Sequence, residues 1–153
     1  MDILKLDPEQ LVLGDVIGKG GQGVVRRGSY LGKEIAAKSI FGFDARTFAD
    51  FLREIKITSL ISNHPNVLTF IGVCLKDEVL WSCSELMDTD LTKVVSQLST
   101  EARLQIARDV ASGMNHLHSF SPPIIHRDLK PSNVLISRSG AVKIADFGKF
   151  LFG

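Results

Sequence analysis

Hydrophobic positions change their period twice along the chain, and the changes separate a strand-rich beginning from a helical and then mixed remainder. Up to Ile40, short apolar runs alternate with glycine. Leu11-Val12-Leu13 and Val16-Ile17 lead into Gly18, Gly20, Gly21 and Gly23; Val24-Val25 then runs to Gly28, and a turn near Gly32-Lys33 precedes Ile35 to Ile40. This predicts a three-strand meander with a glycine-rich first turn. From Ala45 to Ile61 the period lengthens. Phe48, Phe51, Leu52 and Ile55 follow the i, i+3, i+4, i+7 stripe of an amphipathic helix, which Pro65 cannot continue.

Val67 to Leu75 and Val79 to Leu86 read as two further strands around a Lys76-Asp77-Glu78 turn, giving a five-strand sheet with one inserted helix. Ser99 and Thr100 are N-cap residues for a second helix, with Glu101 in its first turn. Its apolar stripe is Leu104, Ala107, Val110, Ala111, Met114 and Leu117, and Pro122-Pro123 ends it. Ile124-Ile125, Val134 to Ile136 and Val142 to Ala145 predict short strands flanking a polar loop. The fold class is α+β.

Composition narrows the function classes without naming one. The 153 residues carry 18 Lys+Arg against 17 Asp+Glu, with 44% apolar and 23% charged positions, the balance of an ordinary globular domain. A net charge of +1 supplies no basic field, so a nucleic-acid partner is not expected. Cys74 and Cys83 lie in apolar runs and read as buried reduced thiols. Met1-Asp2-Ile3-Leu4-Lys5 lacks the order of a secretory signal, and Val67 to Leu75 is too short to span a bilayer. A cytoplasmic protein is the expectation.

Gly18-Lys19-Gly20-Gly21-Gln22-Gly23 fits G-x-G-x-x-G, a pattern that brings backbone close to phosphate. It is shared by dinucleotide sites and by phosphate-covering flaps, and a glycine-rich hairpin with no ligand is a third reading. A dinucleotide site would open a helix and want an acid about 20 residues on. Here Val24-Val25 continues a strand and leads to Lys38, which favours the flap.

Three further motifs follow in order: Ile35-Ala36-Ala37-Lys38; His126-Arg127-Asp128-Leu129-Lys130-Pro131-Ser132-Asn133, which fits H-R-D-L-x-x-x-N; and Asp146-Phe147-Gly148. With them the chain resembles the protein kinase family over nearly its whole length, and most closely the tyrosine-kinase-like group of serine/threonine kinases. The resemblance implies a kinase-like fold with a five-stranded antiparallel N-lobe sheet, one helix, and the first part of a mainly helical C-lobe. Residues 1–10 would be an extension, 11–87 the N-lobe and hinge, and 88–153 an incomplete C-lobe lacking the activation segment and later helices.

It also implies ATP and Mg2+ as cofactors and a protein substrate with a serine or threonine acceptor. Ile17 and the Gly18 to Gly23 turn would cover the phosphates, Lys38 would touch them, and Glu54 would orient Lys38, with Asp50 as the competing acid. Asp128 would take the hydroxyl proton, Lys130 would contact the transferred phosphate, and Asn133 with Asp146 would hold the metal. Adenine would lie against Val25, Ala36 and Leu135, beside Ser84 at the gatekeeper position and the hinge residues Glu85 to Met87. His126 would pack in the core with Phe147 and Phe70, and Thr58 stands where the family's regulatory stack usually has an apolar residue. Loss of the later helices would expose the Thr100 to His118 helix to self-association or a partner, leaving the isolated chain weakly active. The alternative is a noncatalytic ATP-binding or interaction fragment.

Overall fold

The computed structural model describes residues 4–20, 23–40, 45–145 and 151–152, and the chain divides into two compact units. The first comprises Met1–Ser59 with Thr69–Leu86, and the second Leu60–Leu68 with Met87–Gly153.

In the first unit, strands β1 (Leu11–Gly20), β2 (Gly23–Tyr30), β3 (Lys33–Ile40), β4 (Phe70–Lys76) and β5 (Val79–Glu85) form one antiparallel sheet, ordered β1-β2-β3-β5-β4. The period-2 alternation of β3 is clean. Ile35, Ala37 and Ser39 are buried, whereas Ala36 and Lys38, on the opposite face, are only partly so. Ile35 and Ala37 join Leu6, Leu11, Cys74, Trp81 and Cys83 in a single apolar cluster. Burial and the neighbouring Cys74 push the Cys83 thiol up to about 12, and burial raises Cys74 as well, so both remain inert thiols. The segment before β1 is part of this unit: Leu6 N–H donates to Val73 O (2.7 Å) and Val73 N–H to Leu4 O (2.9 Å), covering the edge of β4.

Helix α1 (Ala45–Ile61) buries Phe51 and Ile55 as its stripe requires, but Phe48 is 44% exposed, and Ile57 with Ile61 forms a second buried line. The strand expected from Val67 to Leu75 begins only at Phe70. Val67 and Leu68 instead bridge to Ile144, with Leu68 N–H donating to Ile144 O (3.0 Å), so one apolar run serves both units.

The second unit is built on α3 (Thr100–His118), capped where Ser99 Oγ accepts from Ala102 N–H (3.2 Å) and closed at Ser119 before the prolines are reached. A short strand β6 (Thr89–Asp90) and helix α2 (Leu91–Val94) precede it; β7 (Ile124–Ile125), β8 (Val134–Ile136) and β9 (Val142–Ile144) follow. β8 lies between β6 and β9, and β10 (Leu151–Phe152) pairs with β7. The buried face of α3 is Ile106, Gly113 and Leu117. Leu104, at 55% exposure, and Ala107 and Ala111 face outward, so the predicted stripe is split between a covered and an uncovered face. No helix among the described residues is long and apolar enough to cross a membrane.

Candidate active site

Strand pairing groups one set of candidate residues on the face of the sheet opposite the apolar cluster. Directly opposed residues share a face. Gly18 pairs with Val25, Val25 with Lys38, and Lys38 with Ser82; one step along, Ala36 pairs with Ser84 and Ser84 with Phe70. Val25, Ala36, Lys38 and Ser84 therefore form a contiguous patch, with the ammonium-bearing chain beside small side chains. Ile17 is half-exposed just before the glycine turn, and Lys19 and Gly20 pair with Val24 and Gly23 to close it. Gly21 and Gln22, at its tip, lie outside the described residues, as does the side chain of Asp50. Glu54 is partly buried on α1 within this unit. Glu85 ends β5 with its backbone N–H donated to Thr69 O (3.0 Å) and its carboxylate accepting from Thr69 N–H (2.7 Å), which fixes the end of the strand.

A second set of candidate residues lies on a polar loop in the second unit. Asn133, 3% exposed, ends a 3₁₀ turn opened by Pro131, and its Nδ2 donates to the Asp128 carbonyl (2.7 Å) and to Asp128 Oδ2 (3.3 Å). With Nδ2 so committed, Oδ1 is turned away from Asp128, an oxygen donor suited to a hard cation. Lys130 Nζ lies 3.2 Å from Asp128 Oδ2; Lys130 is 51% exposed there, so the pair is weak and the lysine can leave it for a phosphate. Ala145 N–H donates to Asn133 O (2.9 Å), anchoring the backbone immediately before Asp146, which itself lies outside the described residues with Phe147 and Gly148.

His126 is a structural residue of this loop. Its Nε2–H donates to Ala145 O (2.9 Å) and its Nδ1 accepts from Asp128 N–H (3.3 Å), which fixes the neutral Nε2–H tautomer inside the core. Arg127, next to it, has φ 67°, a left-handed conformation that costs a non-glycine residue of order 1–3 kcal/mol and persists because its neighbours are held. Leu135 is partly buried on β8, opposite Asp90 and Lys143, and Met87 is partly buried where the second unit resumes. Asp88 N–H donates to Ile136 O (3.2 Å), and its carboxylate pairs with Arg138 (3.0 Å). Thr58 and Phe70 are partly buried.

Several residues outside the motifs brace β9 and α3 of the same unit. Asn66 Nδ2 donates to Val142 O (3.0 Å), and Asn66 O accepts from Ile144 N–H (2.9 Å). His64 stacks on His116 with ring centroids 4.7 Å apart, and His116 Nε2–H donates to Ile61 O (3.1 Å). Burial and then His116 lower the His64 pKa below its usual 6.5. His64-Pro65-Asn66 was the available sequence signal, but nothing local to it names its partners.

A strand-borne lysine behind a glycine-rich turn in one unit, and an acid–lysine–asparagine loop before an Asp-Phe-Gly sequence in the other, are features of the protein kinase type. The family described as protein kinase domain matches residues 11–150, and the chain belongs to it. Its relatives include proteins named as serine/threonine-protein kinases and as dual specificity protein kinases. The chain is 37% identical over 146 residues, 91% of its length, to probable serine/threonine-protein kinase drkD of Dictyostelium discoideum, and spans 11% of that protein. It is 37% identical over 141 residues, 86% of its length, to serine/threonine-protein kinase CTR1 of Arabidopsis thaliana, spanning 17% of it. Dual specificity protein kinase shkC of Dictyostelium discoideum is 36% identical over 151 residues, 94% of the chain and 30% of the relative.

Proposed function

We propose that this chain carries the phosphoryl-transfer centre of an ATP-dependent kinase acting on serine and threonine hydroxyls of proteins. The Asp128, Lys130 and Asn133 cluster is the observation that supports this most directly. The substrate hydroxyl oxygen bonds to the γ-phosphorus as the bond to the β,γ-bridging oxygen breaks. ADP leaves, and the hydroxyl proton passes to Asp128. Lys130 stabilises the charge of the transferred group, Lys38 with Glu54 orients the remaining phosphates, and the turn from Ile17 through Gly18, Lys19, Gly20, Gly21, Gln22 and Gly23 covers them. Asn133 and Asp146 are the oxygen donors for magnesium, which when bound offsets phosphate charge. Val25, Ala36 and Ser84 of the first unit and Leu135 of the second are the residues assigned to adenine, with Glu85 and Met87 assigned to its edge through backbone groups. In this reading residues 11–87 are the smaller lobe and hinge, 88–153 belong to the larger lobe, and 1–10 precede both.

Thermal unfolding with magnesium and ATP tests the reading. At about 100 times Kd the stabilisation is about 2.7 kcal/mol, or roughly 5–11 °C in a chain of this size. Lys38→Met and Asp146→Asn should each abolish the shift, and transfer to a serine or threonine peptide should vanish in Asp128→Asn. A wild-type transition that ignores nucleotide overturns the proposal. One observation favours a second reading, a noncatalytic ATP-binding or interaction fragment: the outward apolar face of α3, at Leu104, Ala107 and Ala111. Its signature is a nucleotide-dependent shift without turnover when the 153-residue polypeptide is assayed by itself.

A further inference from the structure

The β2–β3 register runs from Tyr30 opposite Lys33 to Val25 opposite Lys38, and at the next position the two strands are joined by a side chain. Ser39, 2% exposed, accepts the Val24 N–H at its Oγ (3.0 Å) and donates its hydroxyl to Val24 O (3.2 Å). One hydroxyl thus satisfies both backbone groups of the residue that follows the glycine turn. The approach is close: Gly23 has φ 145°, and a Cβ built there would collide with Ser39 O. Val24 also pairs with Lys19 of β1. The descending limb of the turn is therefore pinned from both sides, and on the β3 side the pin sits one residue from Lys38.

We propose that Ser39 is a positioning residue that sets the distance between the glycine turn and Lys38, and through it the fit of the nucleotide phosphates. This rests on the nucleotide-site reading of that turn. A backbone rung fixes strand spacing only where both peptide planes face each other. Beyond the last rung the Ser39 hydroxyl takes over the hold on Val24, and every conformation in which that hold is broken lowers apparent affinity by the fraction it removes from the binding-competent state. Alanine at position 39 keeps the strand and its buried methylene but leaves the Val24 N–H and C=O without their partner. Threonine keeps the hydroxyl.

The test has two arms on the full chain. The first is amide hydrogen exchange without nucleotide. In the wild type Val24 N–H should be protected to the same order as the amides from Arg26 to Gly28, and Ser39→Ala should raise its exchange at least tenfold relative to them, while Ser39→Thr should not. An unprotected Val24 in the wild type, or no change in Ser39→Ala, overturns the pin. The second arm is the magnesium–ATP Kd, read by titration well below the unfolding midpoint. Ser39→Ala should weaken it about fivefold and raise KM more than it lowers kcat, with Ser39→Thr near wild type. Faster Val24 exchange with an unchanged Kd overturns the positioning role and leaves Ser39 as a strand staple only. A wild type that binds no nucleotide removes the functional reading itself, and the exchange arm still decides whether the pin exists.

Discussion

Replacing Asn133 with alanine removes the side chain that holds the Asp128 loop closed. Nδ2 donates at 2.7 Å to the Asp128 carbonyl and at 3.3 Å to its carboxylate, from a position 3% exposed. Leaving the carbonyl without its donor costs about 1–3 kcal/mol, and the long contact to a partly solvated carboxylate adds about 0.5 kcal/mol. A net loss of about 2–3 kcal/mol corresponds to a fall of roughly 4–12 °C in the unfolding midpoint. The two contributions separate in a cycle with Asp128→Asn, which alters the carboxylate and keeps the backbone carbonyl. Because the shorter bond is to the carbonyl, most of the Asn133→Ala cost should persist in the Asp128→Asn background, with a coupling energy below about 1 kcal/mol. Thermal denaturation of the four proteins measures this. A midpoint change under about 2 °C for Asn133→Ala, or a coupling as large as the whole effect, would refute the assignment of Asn133 as the backbone anchor of the Asp128 loop.

Gly113→Ala should destabilise the chain although alanine is the better helix former. The new Cβ would stand 2.6 Å from Asn66 O and 3.2 Å from the Ile144 Cδ1 atom, so overpacking of about 1–3 kcal/mol outweighs the roughly 1 kcal/mol gained in propensity; a raised melting temperature would contradict this packing. Ser84→Met should weaken bulky adenine-site inhibitors at least tenfold while sparing ATP, measured by competition binding. Acidification should cost stability through the lowered His64 pKa: the unfolded chain binds the proton first, so stability falls as pH drops below about 6.5 and levels off beneath the folded value. His64→Gln should flatten that part of a pH–melting profile, and an unchanged slope would place its origin elsewhere.

The motifs were legible because each is a short run whose chemistry is carried by neighbours in sequence. Lys38 follows its strand pattern, and Asp128, Lys130 and Asn133 sit within one turn of one another, as local spacing implies. What the sequence conceals is which of two plausible faces a helix buries. Leu104, Ala107 and Ala111 fit a helical stripe as well as Ile106, Val110 and Leu117 do, and only the strand that comes to lie against the helix decides between them. The Val67 to Leu75 run misled for a related reason. Uniform apolarity says nothing about a change of partner, and here the chain leaves Ile144 before it joins β5. Ser39 was invisible because a serine beside a lysine in a strand is ordinary until its hydroxyl is seen to close the ladder.

The second unit also explains why the His126 to Asn133 loop tolerates a strained residue such as Arg127. Asn66 O accepts from Ile144 N–H, and Asn66 Nδ2 reaches Val142 O, so β9 is held along its outer edge. The residue after β9, Ala145, then donates to Asn133 O and accepts from His126 Nε2, and both of those residues bind Asp128. Each link is a backbone group or a buried side chain with a fixed partner. At Arg127, with φ 67°, this loop bends against the residue's own preference, between a histidine and an aspartate that are each pinned from a different direction. That over-determination keeps the cost of order 1–3 kcal/mol from relaxing the loop, and it sets the Asp128 carboxylate beside Lys130 without either side chain having to order the other.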